Sequence, residues 1–195
     1  MNKLEGLYEL RRLSIPTIDW KCYEAGTQLD DKYLWTVRMA TYSGNDLNLP
    51  RMLGENAEKS QRFACEMLDK MGNRGIVIYY PYLLAEKSGN LQISSSRVII
   101  EAVKGDLGSL LNGRLVDVTY IWEGNVNRSY GNKYFLKKVE REQILSYVEY
   151  LRRKYLQYLI QGLELQLEFS FAYDCTRQGE KEGKRKLFFF EIRTV

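Results

Sequence analysis

Histidine is absent from all 195 residues. That absence excludes a Ser-His-Asp triad, a Cys-His nucleophile pair, a His-ligated metal and a phosphohistidine carried on this chain. Cysteine is sparse. Cys22, Cys65 and Cys175 lie far apart, form no CxxC and are odd in number. Neither a zinc cluster nor a disulfide framework is indicated, and a reducing compartment such as the cytoplasm is the simpler expectation. No apolar run approaches the ~20 residues that span a bilayer, so no membrane partner is expected. The first residues, with acids at Glu5 and Glu9, lack the apolar centre of a secretory leader. Phosphate-loop fingerprints are missing too. Neither GxxxxGK[ST] nor GxGxxG occurs, and Gly105-Asp106-Leu107-Gly108 is too degenerate to stand for one.

The chain is 45% hydrophobic and 28% charged, the balance of an ordinary globular protein rather than a disordered one. Its length suits one compact domain. A weak boundary near residues 71–75 allows two lobes, a reduced N-terminal one (1–72) and a larger one (73–195). The net charge of +4 is compatible with anionic small molecules without demanding them. The one dense basic run, residues 180–186, falls in an expected turn and reads first as a solvated hairpin, with a nucleic-acid contact the lesser reading. Arg152, Arg153 and Lys154 beside Tyr155 and Tyr158 have helical spacing, which more often means a wet face next to a core face than an RNA surface.

Hydrophobic spacing predicts a helix from Leu4 to Leu13, stopped before Pro16. A strand follows over 33–40, then a loop over 44–50, a helix over 56–71 ended by Gly72, and a strand over 76–80. Lys87-Ser88-Gly89-Asn90 looks like a turn between strands. Strands are expected at 91–94, 98–103 and 116–122, with a short helix over 105–112. The longest helix candidate covers 140–161. Residues 163–171 alternate strictly, the cleanest strand signal in the chain, and a turn at 179–183 leads to a last strand over 187–193. The whole reads as an α+β fold with a mostly antiparallel sheet and helices packed on one side.

Candidate chemistry concentrates in the terminal hairpin. Period-two alternation puts Glu164, Gln166 and Glu168 on one face of its first strand. The same period groups Phe189, Glu191 and Arg193 on the second. If these faces meet, Glu168 and Glu191 converge, and two carboxylates on rigid strands can hold Mg²⁺. Arg193 would then neutralise a phosphate or pair with a carboxylate. The alternative is that the acids merely solvate an exposed sheet face. Glu101 lies inside an apolar strand and needs a partner or ligand there. A nucleotide contact and an internal salt bridge are equal readings. Arg38 sits in an apolar strand before a Gly/Asn/Asp loop, where its fork suits either a phosphate or a structural ion pair. Lys3, taken alone, reads as a solvated side chain.

Several segments resemble, in the same order, the ATP-binding domain of phosphoenolpyruvate synthase and pyruvate phosphate dikinase, an ATP-grasp-like fold. Asn2 to Leu10, followed by Ser14-Ile15-Pro16, resembles the family opening "GGK…L-x-E-L…G-I-P-V-P". Trp35-Thr36-Val37-Arg38 resembles "A-V-R-S-S". Ile99 to Gly108, with Leu110-Leu111-Asn112-Gly113 after it, is similar to "I-E-A-V-x-G-L-G-E-x-V-V-x-G". Leu167-Glu168-Phe169 is similar to "I-E-W/F", and Leu187 to Arg193 to "L-Y-x-L-Q-x-R". The resemblance implies nucleotide contacts at Lys3, Arg38, Glu101 and Arg193, a metal ligand at Glu168 with Glu191 beside it, and ATP with Mg²⁺ as cofactors. It also implies phosphoryl transfer to a separate acceptor, a partner protein or a small molecule.

The chain departs from the family pattern in several places. The family domain is much longer. Met39-Ala40 replaces the Ser-Ser after the arginine, Glu191 replaces a glutamine, and the Glu of Gly-Leu-Gly-Glu is lost. Neither the phosphohistidine domain nor the pyruvate-binding barrel is present, so complete dikinase chemistry is excluded for this chain alone. A descendant that retained the sheet as a binding or scaffold protein and lost the nucleotide is the main alternative, and an RNA-associated protein a weaker one.

Overall fold

Asn2 caps the first helix, α1 (Lys3–Arg12). Its side chain accepts from the Glu5 amide at 2.9 Å, and the Asn2 amide donates to the Glu5 carboxylate at 2.8 Å. This capping box fixes where the helix begins, and so makes Lys3 its first residue. Leu4, Leu7 and Leu10 form the buried stripe, and Arg11 and Arg12 close the last turn, where the helix dipole favours cations. The chain then runs beside its own last strand. The Phe189 amide donates to the Pro16 carbonyl at 2.9 Å, and Thr17 bridges Phe189 in parallel. The computed structural model describes residues 1–43, 49–107 and 116–195.

The first antiparallel sheet comprises β1 (Lys21–Cys22), β2 (Trp35–Thr41), β3 (Arg51–Glu55) and β4 (Gly75–Pro81), in the order β1-β4-β2-β3. Helix α2 (Ala57–Met71), capped by the Asn56 side chain, covers one face, where Val37, Met39 and Val77 meet Ala64, Met67 and Met71. Alternation along β2 therefore turns Thr36, Arg38 and Ala40 to the opposite face.

The second sheet comprises β5 (Leu83–Ile93), β6 (Arg97–Lys104), β7 (Val118–Glu123), β8 (Val126–Gly131), β9 (Leu165–Cys175) and β10 (Lys181–Thr194), in the order β10-β9-β5-β6-β7-β8. Helices α3 (Lys138–Leu145), α4 (Val148–Lys154) and α5 (Leu156–Ile160) pack on one face, where Ile144, Leu151 and Leu159 cover Ile100, Leu167 and Phe169. Complete burial of a side chain such as Phe169 contributes roughly 1.5–3 kcal/mol. The free faces of the two sheets meet through Ile78, Tyr80, Phe188 and Phe190, with Leu4 and Leu7 of α1 filling the seam. The chain passes from one sheet to the other at Tyr82, between β4 and β5. Among the described residues, no helix is long and apolar enough to cross a membrane.

The α+β architecture agrees with the sequence expectation, and three local readings are corrected. Lys87 to Asn90 is the middle of β5 rather than a turn. Gly89 is needed there because a Cβ would run into the Glu101 carbonyl and the Phe169 ring. Ser88 is buried, its Oγ 2.6 Å from both Ser170 Oγ and the Gly105 carbonyl. Small polar residues here serve close strand approach, not chain reversal. The expected helix over 140–161 is three short helices, so Ile144, Leu151 and Leu159 each reach the sheet separately. The β9–β10 tip lies at 176–180, ahead of the expected turn, and two of the basic residues after it are held by acids on β9 and β5. Lys186 pairs with Asp174 at 2.9 Å and Arg185 with Glu86 at 3.1 Å. The helix expected over 105–112 falls largely on 108–115, outside the described residues.

Candidate functional site

One extra residue in β10 creates the site. Phe189 pairs with Phe169 and Glu191 with Glu168, so Phe190 is a β-bulge between them. An unbroken period would put Glu191 on the same side as Phe189, among the apolar side chains beneath α4. With the bulge, Phe189 stays in that core while Phe190 packs toward the first sheet, and Glu191 stands beside Glu168 on the polar side. The expectation that Phe189 shares a face with Glu191 and Arg193 is thus corrected, whereas the expected meeting of Glu168 and Glu191 is present.

Four of the expected site residues surround Glu191, whose side chain is only 3% exposed. Arg38 reaches it from β2, its Nη2 3.5 Å from Glu191 Oε2, and Arg193 Nε donates to Glu191 Oε1. Lys3 enters from the first turn of α1 and is 8% exposed. Glu168 completes the group. Three cations thus face two carboxylates, a net positive charge in a largely buried setting.

The titration behaviour reflects this crowding. Burial, and then the Arg38 charge, push the Lys3 ammonium down to about 8, against the opposing pull of Glu191 and Glu168. Burial, and then the Glu191 charge, raise the Glu168 carboxyl above its ordinary range, although Arg38, Lys3 and Arg193 oppose them. Burial alone would lower Arg38, but Tyr80, Glu168 and Glu191 outweigh it and hold the guanidinium charged.

Glu101 shares the polar face but stands apart from the cluster. The order across the sheet is Glu191, Glu168, Asn90, Glu101 on β10, β9, β5 and β6. At about 4.8 Å per strand, Glu101 lies two strands, roughly 10 Å, from Glu168. Between them stands Asn90, whose buried Oδ1 has no hydrogen-bond partner among the described residues. The sequence alone does not single out Asn90, because its segment reads as a turn. The signal that would have found it is its place on the polar period of a strand pairing with residues 98–103. Arg51 and Tyr80 were missed as well. They join Arg38, Glu168, Ser170 and Phe190 around a cleft of about 90 Å³ between the two sheets. Among the described residues, no three His, Cys, Asp or Glu side chains cluster as a ready-made metal cage.

No protein-family model matches the chain, and no curated protein matches it in sequence. Solved structures do match in fold. One is D-alanine–D-alanine ligase from Helicobacter pylori, with a TM-score of 0.54 and 16% identity over 96% of this chain and 50% of that one. Another is the ADP complex of N5-carboxyaminoimidazole ribonucleotide synthetase, with a TM-score of 0.55 and 12% identity over 98% of this chain and 44% of that one. The chain spans about half the length of these relatives. At such identities the match concerns fold, and the fold is ATP-grasp-like.

Proposed function

We propose that the chain binds ATP with Mg²⁺ in the cleft between its two sheets, as a shortened relative of the dikinase nucleotide-binding domain. The observation that carries this reading is the placement of Glu168 directly across from Glu191 within a ring formed by Lys3, Arg38 and Arg193. A buried net positive charge favours a polyanion, and a guanidinium with an ammonium is the usual equipment for phosphate. The ADP-bound state of one structural relative supports the same reading.

The residues present fit magnesium. Mg²⁺ is commonly bound by one or two carboxylates together with substrate phosphates and retained waters. Glu168 and Glu191 would supply the carboxylates, and Asn90 Oδ1, without a hydrogen-bond partner among the described residues, would add an oxygen acceptor on the strand next to Glu168. When bound, the ion would offset charge on the phosphate oxygens. Arg38 would exchange its 3.5 Å contact with Glu191 for a phosphate oxygen, and Lys3 would supply a second positive charge. Glu101 and Arg193 organise the flanks of the site. Catalysis of phosphoryl transfer by position and electrostatics requires no histidine on this chain, so the acceptor would be a separate protein or small molecule.

A second reading has its own observation. Both Glu191 oxygens already meet guanidinium groups, a closed ion cluster that suits a scaffold in which the old site has become structural. Isothermal titration separates the two. ATP with Mg²⁺ should bind wild-type protein, bind less without Mg²⁺, and lose the metal dependence in the Glu168→Gln, Glu191→Gln double variant. Absence of ATP binding at any Mg²⁺ concentration would leave only the scaffold.

A further inference from the structure

A larger cavity, about 510 Å³, lies away from the carboxylate cluster. It is enclosed by the segment after α1, the ends of β2 and β4, the start of β5 and the hairpin of β9 and β10. Its volume falls within the roughly 300–1,000 Å³ of small-molecule sites, which favour junctions between packed units. The lining combines two chemistries. Aromatic side chains come from Tyr33, Trp35, Tyr79 and Phe188, and Trp35 packs edge-on to Tyr33 at 5.7 Å and to Tyr79 at 5.5 Å. Carboxylates come from Asp19, Asp30 and Asp174, against a single lining cation among the described residues, Lys21. Asp174 is held by Lys186 at 2.9 Å and Asp30 Oδ1 accepts from the Lys32 amide at 2.9 Å, while Asp19 and Asp30 are both exposed at the rim.

These features select one ligand class. A phosphate or carboxylate would meet acids and the negative faces of rings. A divalent metal needs several oxygens converging on one point, and among the described residues no such group of three exists. A cation with diffuse charge and an apolar body satisfies both parts of the lining, its charge over the rings and its field met by carboxylates around the rim. We propose that this cavity binds a small organic cation, an alkylammonium or guanidinium compound, at a site distinct from the nucleotide cleft. Tyr80 lines both cavities, and it is also the side-chain partner of Arg38, so it forms a shared wall between the two sites.

The test needs no nucleotide, so its outcome is independent of the ATP reading. Choline and agmatine are titrated into protein carrying ¹⁵N-labelled tryptophan, with 3,3-dimethylbutan-1-ol as the neutral isostere of choline. The Trp35 indole should shift saturably with at least one of the cations and not with the alcohol, while Trp20 and Trp122 stay in place as controls. Asp19→Asn with Asp30→Asn, and separately Tyr33→Ala at a 42% exposed position, should each weaken binding by about tenfold. No Trp35 shift with either cation, equal affinity for the alcohol, or unchanged affinity in the variants would overturn the assignment.

Discussion

Glu191 and Glu168 are cross-strand neighbours with opposite circumstances. Arg38 and Arg193 meet the two oxygens of Glu191, whereas Glu168 is burdened by burial and by the charge of Glu191 itself. Two like charges placed side by side in a buried setting are costly, and the cost falls on Glu168.

Glu168→Gln should therefore stabilise the ligand-free protein at neutral pH. The sign follows from linkage: a carboxyl whose folded pKa is raised is held charged at a cost above that pKa, and the cost is relieved as the pH falls through it. The stability advantage of the variant should be largest near pH 7 and shrink as the pH is lowered into the carboxylate range. Chemical denaturation at a series of pH values measures this. A Gln variant less stable than wild type at pH 7 would show that Glu168 gains more from Lys3, Arg38 and Arg193 than it loses by burial.

Arg38→Ala should act in the opposite direction, because it removes one partner of a buried pair. Glu191 would keep Arg193 but lose its other guanidinium, and breaking such pairs typically destabilises by about 3–5 kcal/mol. If Arg38 also holds a phosphate, the variant should weaken ATP far more than adenosine. Urea denaturation gives the first effect and titration calorimetry the second. An equal loss of affinity for both ligands would assign Arg38 a structural role only.

Gly6→Ala tests how α1 is seated. A Cβ at residue 6 would run into the Ile192 carbonyl on β10, so the helix must withdraw from the strand that carries Glu191 and Arg193. Overpacking against backbone costs roughly 1–3 kcal/mol, occasionally more. Because Lys3 lies on the same helix, nucleotide affinity should fall together with thermal stability. A variant with reduced stability but intact affinity would detach Lys3 from the site.

The hairpin was legible in the sequence because β9 alternates without interruption, so Glu168 could be assigned a face from residue types alone. Glu191 could be paired with it, but for a partly wrong reason. Nothing in Leu187-Phe188-Phe189-Phe190 marks which phenylalanine is the extra residue, since three identical side chains hide a one-residue slip. The bulge is decided by packing of Phe189 under the helices and Phe190 against the first sheet. Asn90 was hidden for the reverse reason. Ser, Gly and Asn carry turn propensity locally, and only the Ser88–Ser170 contact and the crowding at Gly89, which join residues distant in sequence, force them into a strand. Strand β8 is exposed along its whole length, so it has no alternation to betray it. Lys3 looked solvated because a lysine near an N-terminus usually is. Its burial depends on α1 docking against β10, a tertiary event with no local signature.

The buried ammonium of Lys3 gives the most direct physical test of the site. Its pKa of about 8 lies below its ordinary value of 10.5. Between these values the unfolded chain holds the proton and the native chain does not, so this group makes the protein more stable as the pH rises through that window. Lys3→Met should abolish that increment. A bound triphosphate reverses the preference, because an adjacent anion favours the charged amine. Nucleotide binding near pH 8 should then take up a fraction of a proton, and affinity should fall as the pH rises above 8. Calorimetry at pH 8 in buffers of different ionisation enthalpy counts that proton directly. Uptake that disappears in Lys3→Met places the amine beside the phosphates, while uptake unchanged by the substitution would move the phosphates elsewhere in the cleft.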